Sequence, residues 1–167
     1  IKWFVGKDAN WRTTVVNDPS DLIGLVLSKQ LNIDGMTLGQ ILDASSAQGT
    51  VVRDNDGVDR ALFFADNISA GNERAVIAHE LGGHIGIDNV LTREQKTTAV
   101  NKIKEWANSE GVSLEKTISD RATARLASAA QQNAVVDSDS EMVAYFLEEA
   151  VKAGVNPTSD GKSDLVS

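Results

Sequence analysis

The chain has 167 residues, 41% hydrophobic and 24% charged, with a net charge of −8 at pH 7 and no cysteine. That size suits one domain with a sizeable core, and the missing cysteines exclude a disulfide scaffold, a thiolate metal site and thiol-protease chemistry together. The acidic balance argues against nucleic acid as a partner, and with no basic helix and no run near the roughly 18–20 apolar residues of a span, it argues against a membrane too.

In chain order, Trp3 with Val5, and then Trp11, Thr13 and Val15, alternate as half-buried strands do. Pro19 opens a helix to about Lys29 with Leu22, Ile23, Val26 and Leu27 at helical spacing, and a short helix is expected over residues 37–44. Residues 50–65 read as a β-hairpin, TVVR and RALFFA around the turn DNDGVD. Asp54, Asp56 and Asp59 there resemble part of a calcium loop, but the flanking ligand positions are missing, so an ordinary polar turn is the expectation. A helix follows over residues 72–86, with Ala75, Val76, Ala78 and Leu81 as its apolar surface. Thr92 and Gln95 form a capping box at the start of a helix to about Ser109, with Val100 and Ile103 in its stripe. Further helices are expected over residues 114–131 and 138–153, and the stretch from Asn156 reads as a flexible tail after a single domain over residues 1–155. Strands first and helices afterwards give an α+β class.

Both histidines stand in the helix at 72–86, in the run His79, Glu80, Leu81, Gly82, Gly83, His84. Two neutral imidazoles can hold Zn²⁺, and a glutamate beside the first can take a proton from water that the metal activates, so Glu80 is the candidate catalytic base. The spacing is unusual. Histidines four apart share a helix face, whereas five residues turn an ideal helix through roughly 500° and leave the rings about 140° apart. A π-type turn, closed by i→i+5 bonds, restores a common face. Gly82 and Gly83 lie inside that turn, and glycine costs roughly 1 kcal/mol relative to alanine in a helix, so the pair implies a backbone that departs from the regular form.

Read as HExxGH, the run is similar to the zinc motif of the dipeptidyl peptidase III family, which carries the same extra residue before a Gly-His pair. The longer run AHELGGHIGI, from Ala78 to Ile87, preceded by Ala65, Asp66, Asn67 and Ile68, resembles the zincin-like metallopeptidase domains embedded in large polyvalent proteins of phages and mobile elements. The resemblance covers residues 59–90 and, more loosely, 138–150. It implies a zincin-like fold in which a strand before the motif helix, here Arg60 to Ala65, forms the sheet edge beside the substrate cleft. An extended peptide would then pair with that strand by strand addition.

A catalytic zinc takes three protein ligands, and no third histidine exists, so the third is a carboxylate. Glu141 is the leading candidate, because EMVAYFLEE contains the ExxA step with which glutamate-zincins and the dipeptidyl peptidase III family present theirs. Glu148 and Glu149 remain alternatives, and Asp88, four residues past His84, is a weaker one. Ser138 to Glu141 also fits a capping box, and Glu141 shares a polar face with Glu148 and Lys152. Tyr145, one turn after Glu141, is a candidate hydrogen-bond donor to a developing oxyanion.

The expectation is a zinc-dependent endopeptidase acting on a peptide or protein substrate; the alternative is an inactive zincin-like binding module. A start at Ile1 rather than methionine, with no signal-peptide pattern, suggests a piece of a longer polypeptide, in a bacterial cytoplasm or associated with a phage virion.

Overall fold

The structure of the chain, a computed structural model, describes residues 11–44, 46–87, 91–131 and 137–155. These are α+β, with six α-helices, a π-helix and a three-stranded sheet, and they fall into two compact units, residues 11–76 and residues 77–155. The segment around Trp3 and Val5, Asp88, and the tail from Asn156 lie outside the described residues.

The first unit holds the sheet. Its strands are β1 (Trp11–Val16), β2 (Gly49–Arg53) and β3 (Asp59–Phe64), in the order β1-β3-β2. β3 is central, parallel to β1 with Thr14 opposite Leu62, and antiparallel to β2 with Thr50 opposite the same Leu62. This corrects the expectation that the segment from Arg60 to Ala65 forms an edge. Both of its backbone rows are taken by neighbouring strands, so it offers no place for an added strand. The cause is visible in its side chains: Ala61, Leu62, Phe63 and Phe64 are all buried, the uninterrupted apolar run of a strand covered on both faces.

Between β1 and β2 run α1 (Asp21–Leu27) and α2 (Gly35–Asp43). α1 begins two residues after Pro19, and α2 is capped by Asp34, whose side chain accepts the Thr37 backbone N–H at 2.9 Å. Leu22, Leu31, Ile41, Val52, Leu62 and Phe64 form the core of this unit, each buried apolar side chain worth about 1.5–3 kcal/mol against exposure. In the β2–β3 turn Gly57 takes φ +80°, a left-handed conformation that suits glycine. The turn's carboxylates meet arginines: Asp54, 2% exposed, lies 2.8 Å from Arg60 and 3.0 Å from Arg12, Asp56 lies 2.7 Å from Arg12, and Asp59 lies 2.8 Å from Arg53. An internally neutralised turn has no need of calcium.

α3 (Glu73–Ile77) follows, and at Ala78 the chain enters the π-helix (Ala78–Gly86). The second unit then adds α4 (Arg93–Ala107), α5 (Leu114–Gln131) and α6 (Ser138–Lys152). Thr92 and Gln95 form the expected capping box, each side chain bonded to the other's backbone N–H at 3.2 and 2.8 Å. Val100 and Ile103 of α4, Ile118 and Ala122 of α5, and Met142, Val143, Phe146 and Ala150 of α6 make one core. α6 packs against the π-helix, α5 and α4 alike. Its cap is Asp137, which accepts from the backbone N–H groups of Asp139 and Ser140 at 3.1 and 3.3 Å, and not Ser138. Glu141 is thereby released from the capping-box role. Among the described residues no helix is long and apolar enough to cross a membrane.

Candidate metal centre

The π-helix answers the five-residue spacing. Its backbone closes with i→i+5 bonds, as from the Ile87 N–H to the Gly82 carbonyl, and it extends over nine residues instead of the single turn expected. His79 and His84 come to the same side, with ring centroids 5.1 Å apart and planes inclined at 70°. Gly83 has a second reason to be glycine. A Cβ there would overlap the Ala144 Cβ and lie 2.5 Å from the Ala144 Cα, so the π-helix and α6 approach more closely than any side chain permits.

That approach carries Glu141 to the histidines. Its Oε2 is 3.6 Å from Nε2 of His79, and its Oε1 is 3.5 Å from Nε2 of His84. One donor atom from each of the three residues lies within 4.8 Å of the others. Two ligands on a tetrahedral ion with bonds near 2.0–2.1 Å stand about 3.4 Å apart, so the observed separations suit a small divalent ion with little rearrangement. All three side chains are 12–21% exposed, buried enough to be held and open enough to be reached.

The chain matches no family model, and no curated protein or solved structure is significantly similar to it.

Glu148 and Glu149, the alternatives for the third position among the described residues, do different work. Glu148 Oε2 faces the opposite ring nitrogen of His79, 3.2 Å from Nδ1, which is buried and lacks a well-aligned hydrogen bond. Glu148 Oε1 is 2.5 Å from Arg125 and 2.8 Å from Lys152, and Glu149 Oε1 is 3.1 and 3.2 Å from the same two cations. Neither belongs to the three-residue cluster. Nothing in the spacing of Arg125 marked it beforehand, whereas the Glu148 and Lys152 pair, four apart on one helix face, was visible in the sequence.

Burial and charge act in opposite senses across the group. Burial raises the Glu80 carboxyl, 6% exposed, to about 7; neighbouring His79 opposes this, and Glu141 and Glu148 reinforce it. Burial also works to raise Glu148, but the nearby His79 ring and the cations Arg125 and Lys152 outweigh it and hold that carboxyl down at about 2. For His79 burial favours the neutral ring, yet Glu148, Glu80 and Glu141 together leave its pKa raised. Tyr145 packs its ring 4.9 Å from that of His79 and carries the Arg125 guanidinium at 4.6 Å, and burial raises its hydroxyl pKa, keeping it a donor.

Proposed function

We propose that this chain is a zinc-dependent metallopeptidase domain of zincin type, an endopeptidase belonging to a larger phage or mobile-element polypeptide. The observation that carries the reading is the gathering of His79, His84 and Glu141 around one point beside the buried Glu80. Two imidazoles and one carboxylate, without a thiolate, are a donor set typical of catalytic zinc. When bound, the ion supplies Lewis acidity toward a water molecule and the scissile carbonyl.

The residues of the chain do the rest. His79 and His84 would hold the ion through their Nε2 atoms, with Glu141 as the third ligand. Glu80 takes the proton of the attacking water and passes it to the leaving amine, a task for which a carboxyl poised near neutrality is matched to the working pH. Tyr145 donates a hydrogen bond to the oxyanion that develops on the substrate carbonyl.

The test is metal analysis of the purified chain together with hydrolysis of an unfolded protein substrate. One zinc per chain is expected, lost in His79→Ala, His84→Ala and Glu141→Ala, with cleavage that a chelator stops. Native protein without metal would sink the proposal. Metal retained without any cleavage would favour a binding module that keeps the centre but not the turnover.

A further inference from the structure

His79 is the most heavily supported of the three candidate ligands. Its Nε2 faces Glu141, its Nδ1 faces Glu148, and the ring of Tyr145 packs beside it. Both of the latter neighbours are held by one residue of another helix. Arg125, on α5, places Nη1 at 2.5 Å from Glu148 and its guanidinium carbon at 4.6 Å from the centre of the Tyr145 ring. Lys152 also pairs with Glu148, at 2.8 Å, but it is Arg125 that spans the carboxylate and the aromatic ring together. A planar guanidinium can stack on a ring and bond a carboxylate at its edge at once, which a point-charge ammonium cannot.

We propose that Arg125 is a positioning residue of the metal centre, fixing the ring of His79 through Glu148 on one side and Tyr145 on the other. The inference rests on the reading of His79 as a metal ligand. A carboxylate on the far nitrogen of a ligating histidine selects the tautomer and sets the ring's direction. Here that carboxylate is itself 3% exposed and needs a fixed counter-charge to remain where it is. Arg125 supplies the charge, and its stacking keeps Tyr145 against the same ring, so His79 has little freedom to turn its Nε2 away from Glu141. A residue that merely fastened α5 to α6 would affect unfolding alone.

The experiment compares the full chain with Arg125→Gln, Arg125→Lys and Lys152→Gln. Zinc affinity is measured by competition with a chromophoric chelator, ligand geometry by the visible spectrum of the Co²⁺-loaded protein, and folding by thermal melting. Arg125→Gln should weaken zinc binding about 10–100-fold and alter the cobalt bands. Arg125→Lys, which keeps the charge and loses the stacking, should fall between it and wild type, and Lys152→Gln should stay within about threefold of wild type. The inference is overturned if Arg125→Gln binds zinc as wild type does with an unchanged cobalt spectrum, or if Lys152→Gln matches its loss, since charge alone would then suffice. Should Arg125→Gln not fold, Arg125→Lys decides: wild-type affinity and spectrum in that variant overturn the inference. A wild type that binds neither ion fails differently, removing the metal-centre reading itself.

Discussion

Glu80, the base of the proposed reaction, would join chemistry to stability at a single carboxyl. Its pKa rises from 4.5 to about 7 on folding, so the folded chain binds more protons than the unfolded one across that window. Stability contributed at this position is therefore present below pH 4.5 and lost as pH climbs through 7, an amount of roughly 3 kcal/mol. Glu148 runs the other way, its contribution present above pH 4.5 and lost as pH falls toward 2. Replacing Glu80 with glutamine should remove the first effect: with chelator present, Glu80→Gln should melt above wild type at pH 8 and close to it at pH 4.5. The same variant should keep its zinc and lose nearly all hydrolysis, because an amide does not accept the proton. Equal melting of the two proteins at pH 8 would show that Glu80 is not desolvated, and equal turnover would assign the base elsewhere.

The π-helix and α6 form the site jointly, and Gly83 is where they touch. Gly83→Ala should cost about 1–3 kcal/mol from overpacking and weaken metal binding, whereas Asp137→Ala, which uncaps α6, should cost about 1 kcal/mol with metal retained. Adding Ala144→Gly to Gly83→Ala should restore stability only in part, since the Ala144 Cα remains 2.5 Å from the new methyl group. Full restoration, read from chemical denaturation, would show that the contact is with the methyl alone. The need for a π-turn was legible from the spacing of His79 and His84, since rotation per residue is a local property. The helix over 114–131 and the Thr92 cap were legible for the same reason. The contact of Gly83 with Ala144 was not, because it joins residues far apart in sequence, and a glycine pair reads as backbone freedom whether or not another helix lies against it. β3 was expected at an edge and lies at the centre: its unbroken apolar run suits a covered strand, but a local pattern does not say which strands flank it. Glu141 led Glu148 and Glu149 in the sequence on its ExxA step alone; the pairing of Arg125 with the latter two was not legible there, because it joins different helices.

Across the whole molecule, each compact unit has its own apolar core and its own buried charges. In residues 11–76 the balance is closed: Asp54 has no exposed side-chain surface and is matched by Arg60 and Arg12. Asp54→Ala should therefore destabilise the chain by about 3–5 kcal/mol in urea, leaving Arg60 unpaired, while added calcium should leave the wild-type melting temperature unchanged. A calcium-dependent rise would restore the metal-loop reading of that turn. In residues 77–155 the group around the histidines is not matched in this way. Among the described residues, Glu148 and Glu149 pair with the cations Arg125 and Lys152, while Glu80 and Glu141 have no such partner in the group, so with all four carboxylates ionised and both imidazoles neutral these six side chains carry two negative charges in excess. A divalent ion cancels that excess in one step; protons do so piecemeal, and the raised pKa values of His79, Glu80 and Glu141 show where they would settle. Metal and protons then compete for the same vacancy in charge, so zinc uptake near neutral pH should release about one proton per ion, measurable by titration calorimetry in buffers of different ionisation enthalpy. If it holds zinc as proposed, the centre would act as an ion exchanger, and acidification alone should discharge it.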